Sequence, residues 1–151
     1  MKRRRLSRTE LLTRNPVWRS LKPSPMQQSA QVDLQLDAYS ALDEIMFGRG
    51  MHEHLDSLAC ATNLALLLCE RGAGRERLED VTAAQLGITR ARHRADQGKA
   101  IALDGPAVQP LRAALELLGQ QMAIVAQGDI TDALNEVMRR ISTGHVLQAT
   151  A

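Results

Sequence analysis

The chain has 151 residues, which suits one domain with a buried core and is short for two. Only 2% of the residues are aromatic, so the core must consist of Leu, Ala, Val, Ile and Met, a composition that favours helices over strands. The same scarcity of rings argues against single-stranded nucleic-acid binding by base stacking.

The net charge of +2 conceals an asymmetry along the chain. Residues 1–22 carry eight basic side chains and one acid, a net charge of +7, whereas the rest of the chain carries eleven basic and sixteen acidic side chains, a net charge of −5. Blocks of like charge are typical of interaction tails. We expect a basic, partly disordered arm over residues 1–23, a single helical domain over residues 24–147, and a tail over residues 148–151.

The arm contains one capping-box spacing, from Ser7 to Glu10, which predicts a short helix over residues 8–14. Trp18 follows in a basic linker, where it could anchor the arm to the body or meet a partner. Ser24 and Pro25 then form a strong helix start, with serine as the N-cap and proline at the first position. This helix should reach Phe47 and bury one stripe of side chains: Val32, Leu36, Tyr39, Leu42, Ile45 and Met46.

The next helix, from Met51 to Arg71, should be the centre of the fold. Glycines lie at both of its ends, and eleven of the fifteen residues from Leu55 to Cys69 are apolar, too many for a one-sided stripe. Neighbours should therefore cover it on several sides. Its two cysteines are nine residues apart, about 13 Å along a helix. That separation exceeds the roughly 7 Å that a disulfide tolerates, so we expect reduced thiols and a cytoplasmic protein.

Three further helical segments complete the predicted fold. The first covers residues 75–97, with Gly87 as an interruption and Leu78, Val81, Leu86 and Ile88 as core candidates. The second begins at Asp104-Gly105-Pro106 and runs to about residue 127. The third begins at Gly128-Asp129 and ends at Gly144. The predicted class is all-α, a compact bundle of four to five helices around the central helix, with no segment apolar enough to span a membrane.

Few residues suggest chemistry. His52, Asp56 and Cys60 share one stripe of the central helix and could supply half of a metal site. A polar first turn on a helix that then enters the core explains the same three residues. No nucleophile motif or phosphate-binding loop is present, so we expect no enzyme, no cofactor and no metal.

The segment from Val81 to Lys99 allows two interpretations. Ala83, Gly87 and Ile88 have the spacing of a helix-turn-helix, whose second helix would direct arginines towards phosphates and guanine edges. That second helix has only alanines as apolar anchors. A continuous surface helix with a basic face explains the segment about as well.

Three segments resemble a group of small helical proteins of β-proteobacteria and their mobile elements, automatically labelled "Fis family transcriptional regulator". They are LACATNLALLLCERG, ALDGPAVQPLRAAL and ALNEVMRRISTGHV, and the likeness covers about residues 30–147. It implies a compact helical domain of poorly known function. Fis proteins carry a C-terminal helix-turn-helix, and this C-terminus lacks the turn glycine that such a unit needs.

Two functions follow from the charges. The first is a small non-enzymatic DNA-associated regulator or accessory protein. The alternative is a protein–protein interaction module of a mobile element or phage, without nucleic-acid binding, in which the acidic body is the working surface. A homodimer is compatible with both, and a membrane partner with neither. The residues that would contact DNA are Arg3, Arg4, Arg5, Arg8, Arg90, Arg92, Arg94 and Lys99.

Overall fold

The computed structural model describes the backbone of residues 26–143 and the side chains of residues 33–143 other than Ser142. Five α-helices pack together in this part of the chain, which contains no strand, so the all-α prediction is confirmed. The predicted basic arm, the helix over residues 8–14, the Ser24-Pro25 start and the tail lie outside the described residues. The helices are α1 (Met26–Met46), α2 (His52–Glu70), α3 (Leu78–Asp96), α4 (Gly105–Ile124) and α5 (Gln127–Thr143), and one 3-10 turn (Arg75–Arg77) precedes α3.

Helix α2 is the centre of the bundle, as its composition predicts. It contacts α1, α3, α4, α5 and the 3-10 turn. Because neighbours surround it, its leucines are buried on several sides rather than along one stripe. Five of its side chains are among the largest fully buried ones described: Leu55, Leu58, Leu64, Leu67 and Leu68.

A tight turn joins α1 to α2. Gly48 has a φ of +77°, a left-handed conformation that glycine adopts without steric cost. The amide N–H of Arg49 then donates to the Glu44 carbonyl at 2.8 Å, which closes the end of α1. At the start of α2, the Met51 N–H donates to His54 Nδ1 and the His54 N–H donates to the Met51 carbonyl, both at 3.0 Å. These reciprocal bonds satisfy free donors of the first turn.

Helices α3 and α4 approach each other closely at Gly87. This glycine lies inside the continuous helix Leu78–Asp96 and is buried, so the predicted interruption and the helix-turn-helix interpretation are both wrong. A Cβ atom on Gly87 would lie 2.5 Å from the Cβ of Ala107 in α4. The glycine therefore serves close helix packing rather than a turn.

A buried amide ties α4 to α2. The Gln121 side chain donates from Nε2 to the Ala65 carbonyl at 3.1 Å and to the Ala73 carbonyl at 2.8 Å. It also approaches Cys69 Sγ at 3.4 Å. Buried polar groups need such partners, so Gln121 fixes how α4 sits against the end of α2.

The buried stripe of α1 differs from the predicted one. Leu42 and Ile45 are buried as expected, but Leu36, Tyr39 and Met46 are exposed, so that part of the prediction is wrong. Two alanines, Ala38 and Ala41, occupy the core instead. Both stripes have helical spacing, and the alanine stripe allows the shorter distance between helices. On α3, Val81 and Ile88 are buried as predicted, whereas Leu86 is exposed.

Within the described helices, none combines the length and the hydropathy that crossing a bilayer requires.

Candidate interaction surfaces

Two arginines of α3 share one acidic partner at the start of α4. Arg90 forms a two-point ion pair with Asp104, from Nε to Oδ2 at 2.7 Å and from Nη2 to Oδ1 at 3.0 Å. Arg94 donates to the Ala102 carbonyl at 2.7 Å and lies 3.5 Å from the same carboxylate. The hydrogen bond from Arg90 lowers the pKa of Asp104 below its usual value, and Asp104 in turn raises the pKa of Arg90. These contacts hold α3 against the loop that leads into α4.

The third arginine points to a different helix. Arg92 Nη2 donates to Asp56 Oδ1 of α2 at 2.8 Å, and the two side chains are only 19% and 24% exposed. Arg92 is two positions from Arg90 and from Arg94, about 200° around the helix. The three guanidinium groups therefore brace α3 on two sides and do not form a common face.

Ion pairs within the body occupy most of its positive charge. Of the eleven basic side chains of residues 33–143, seven are paired with an aspartate or glutamate. Lys99 is exposed in the turn after α3. The body is thus acidic overall, and its arginines stabilise contacts between and within helices. The paired residues are Arg49, Arg77, Arg90, Arg92, Arg94, Arg139 and Arg140.

The outward side of α1 differs from α3, because it exposes four large apolar side chains. Leu36 is 58% exposed, Phe47 is 71% exposed, and Tyr39 and Met46 lie on the same side of the helix. We call these four side chains the α1 outer face. Phe47 directly follows the helix, and its amide N–H still donates to the Asp43 carbonyl at 2.9 Å. Large exposed side chains that cluster in this way are typical of interaction sites.

The Phe47 ring contacts Arg49 of the same turn. The Arg49 guanidinium lies over the ring, 5.3 Å from its centroid. Arg49 itself forms a two-point ion pair with Glu44, at 2.8 and 2.7 Å. The Arg49 hydrogen bond lowers the pKa of Glu44, so the pair persists at neutral pH. The ring is therefore exposed to solvent and contacts the Arg49 guanidinium.

Three carboxylates accompany the α1 outer face. Asp33, Asp37 and Asp43 are all exposed on α1. Within residues 33–143 none of them forms an ion pair with a basic side chain. We call them the α1 carboxylates. The surface therefore combines an apolar stripe with negative charge that no basic side chain of residues 33–143 pairs.

A surface cavity of about 350 Å³ lies at the other end of the bundle, where α4 meets α5. Arg71 lines it and donates from Nη1 to the Asp129 carbonyl at 3.3 Å. Its walls carry one basic and one acidic side chain and are otherwise aliphatic. The lining residues are Leu68, Arg71, Ala73, Ile124, Val125, Ala126 and Asp129.

One of the three residues considered as half of a metal site, Asp56, forms an ion pair instead. Asp56 pairs with Arg92, and across residues 33–143 no three His, Cys, Asp or Glu side chains are grouped as a metal site requires. Cys60 and Cys69 are both free thiols, and burial raises the pKa of each. A raised pKa disfavours the thiolate, the form of cysteine that acts as a nucleophile.

The residues predicted to bind DNA are only partly described. Arg3, Arg4, Arg5 and Arg8 lie outside the described residues. The structure brings Arg90 and Arg94 together at Asp104 and separates Arg92 from them. Sequence reasoning missed the α1 outer face. The alanine stripe opposite it was the available signal, because Ala38, Ala41, Leu42 and Ile45 have the spacing of a buried face.

Comparison of the chain with known family models, with curated proteins and with solved structures found no match.

Proposed function

We propose that this protein is a small non-enzymatic interaction module that binds a basic, amphipathic segment of a partner protein on the α1 outer face. The observation that carries the proposal is the exposure of Leu36, Tyr39, Met46 and Phe47 along one side of α1. When an amphipathic helix binds a partner protein, apolar side chains at helical spacing make the contacts.

The negative charge of the α1 carboxylates supports a basic partner. The α1 carboxylates leave negative charge beside the apolar stripe, so a segment with basic residues flanking apolar ones is complementary to this surface. A second copy of the same face would place carboxylates against carboxylates, which is unfavourable. The partner is therefore expected to differ in charge from the α1 outer face.

The proposal is tested by photo-cross-linking in the native host. Tyr39 is replaced by p-benzoylphenylalanine, with the same replacement at His93, which is exposed on α3, as the matched control. We expect protein adducts at position 39, with the cross-linked peptide of the partner rich in Lys, Arg and aliphatic residues. Adducts that form only at position 93, or an absence of partner adducts at position 39, would contradict the proposal.

DNA association remains a second candidate, and the charge of the arm favours it. Residues 1–22 carry a net charge of +7, which suits phosphate contacts through Arg3, Arg4, Arg5 and Arg8. A contribution from Arg90, Arg92 or Arg94 would require their ion pairs with Asp104 and Asp56 to open. In this candidate the arm supplies most of the binding.

Duplex binding measured against salt tests this second candidate. Six phosphate contacts would give a log–log slope of about −5, and deletion of residues 2–8 would flatten it. Replacing Arg90 and Arg94 with glutamine is the matched change in the body and should leave the slope unchanged. Binding that is absent at about 50 mM salt, or unaffected by the deletion, would exclude the arm as a DNA contact.

A further inference from the structure

The α1 outer face and the N-terminal arm have complementary chemistry. The face offers four apolar side chains and, in the α1 carboxylates, three negative charges. Residues 8–22 have the sequence RTELLTRNPVWRSLK, which contains four basic side chains and one acid, a net charge of +3. The apolar residues of this segment are Leu11, Leu12, Val17, Trp18 and Leu21.

We propose that residues 8–22 of the same chain are the resident occupant of the α1 outer face and must be displaced before a partner binds there. The inference rests on the proposed function, because it concerns the regulation of the same surface. A covalently attached segment has a high effective concentration at its site, so modest complementarity is enough for occupancy.

The length of the arm allows this contact. The α1 outer face begins at Leu36, about 15 Å along the axis from the first helical residue, and ends near Phe47, about 32 Å along it. Fifteen residues span at most about 50 Å when extended and about 22 Å when helical. Only Pro23, Ser24 and Pro25 separate the segment from α1, and proline and serine are both common in turns. The arm can therefore run back along α1 within one molecule.

The opposing charges make occupancy dependent on ionic strength. Exposed charges attract each other less as salt rises, so salt should weaken the contact between the arm and the α1 carboxylates. A partner whose segment carries more basic and apolar residues would compete for the same face. Its binding would release the arginines of the arm, which would then be free for an anionic ligand.

Trp18 is the only tryptophan of the chain and reports directly on the arm. In the full-length protein at low salt, we expect blue-shifted tryptophan emission and several-fold slower quenching by acrylamide than for free tryptophan amide. Replacing both Leu36 and Phe47 with serine should return the emission and the quenching to those of exposed tryptophan. Replacing Asp33, Asp37 and Asp43 with asparagine should partly expose Trp18. High salt should expose Trp18 to a similar extent in the wild-type protein.

The matched control is Ile124→Ser, since Ile124 is 77% exposed but lies at the end of α4. This variant should leave the Trp18 signal unchanged, and circular dichroism should show that every variant is folded. An exposed Trp18 in the wild-type protein would overturn the inference. So would protection that persists in the α1 variants, or protection that grows with protein concentration, which would indicate a second copy as the occupant.

Failure of this inference is separable from failure of the proposed function. An exposed Trp18 together with partner adducts at position 39 would exclude the arm as occupant of the α1 outer face and support the partner site. A protected Trp18 that is released by the α1 variants, without any partner adduct, would leave the arm as the ligand of the face and remove the partner.

Discussion

The outer side of α1 and the arginine-bearing helix α3 show how differently two charged surfaces can be used. Helix α3 carries the arginines that draw attention in the sequence, yet Arg90, Arg92 and Arg94 are all bound to acids of the same body. Helix α1 carries three carboxylates without a basic partner among the described residues, next to exposed apolar side chains. The arginines of α3 are therefore paired within the body, whereas α1 keeps its apolar side chains and carboxylates exposed.

The largest expected difference in the free energy of unfolding is between substitutions of a buried and of an exposed leucine. Leu64 of α2 is 0% exposed, so Leu64→Ala should lower the free energy of unfolding by about 2–5 kcal/mol. Leu36→Ala on the α1 outer face should lower it by about 1 kcal/mol or less, because only the contact with the arm is lost. Urea denaturation of both variants measures the contrast. Comparable losses would mean that the α1 outer face is part of the core.

The packing of α3 predicts the next largest effect. Gly87→Ala improves helix propensity by about 1 kcal/mol but forces a Cβ atom against Ala107, and overpacking costs about 1–3 kcal/mol. We expect a net loss of stability. In a double-mutant cycle with Ala107→Gly, the two changes should offset each other by about 1 kcal/mol. Additive effects in thermal or urea unfolding would mean that α3 and α4 do not meet at this point.

A smaller effect should distinguish the paired carboxylate from the unpaired one. Asp104→Asn should lower Tm at pH 7 by about 3 °C, whereas Asp43→Asn should leave Tm unchanged or raise it slightly. Because Arg90 lowers the pKa of Asp104 in the folded state, this stabilisation is complete above the ordinary aspartate pKa of about 4. It is lost as the pH falls through the lowered value.

Melting curves from pH 7 down to about 2 therefore test the sign of this linkage. The wild-type protein and Asp104→Asn should converge at the acid end, whereas the wild-type protein and Asp43→Asn should stay close throughout. Hydrogen bonds from Arg139 and Arg140 lower the pKa of Glu136 on α5 to about 2. Glu136 is the same in all three proteins, so its protonation affects their melting curves equally. A constant gap between the wild-type protein and Asp104→Asn at all pH values would contradict the ion pair.

The sequence predicts the helices of the body well, for reasons that are local. Glycines bracket α2, and Asp104-Gly105-Pro106 marks the start of α4. The predicted ends of both helices therefore lie within about three residues of the observed ends. The all-round apolar composition of α2 also identifies it as central. Such features depend on neighbours along the chain and need no knowledge of tertiary contacts.

The two surfaces were harder to predict because they depend on which elements meet. Nothing local indicates that Arg90 would find Asp104 or that Arg92 would find Asp56, 36 positions away. Likewise, α1 has two apolar stripes of helical spacing, and only its packing against α2 and α4 decides that the alanine stripe is buried. Gly87 was misinterpreted for the same reason, since a close contact with Ala107 and a turn both favour glycine.

A nuclease-treated pull-down from the native host tests most directly whether α1, rather than α3, carries the function. Three baits of 151 residues are compared: the wild-type protein, a variant with serine at Leu36 and Phe47, and a variant with glutamine at Arg90 and Arg94. We predict that nuclease-resistant partners are retained by the wild-type protein and the arginine variant and lost by the α1 variant. Loss of partners from the arginine variant alone, or partners that disappear entirely on nuclease treatment, would contradict the account.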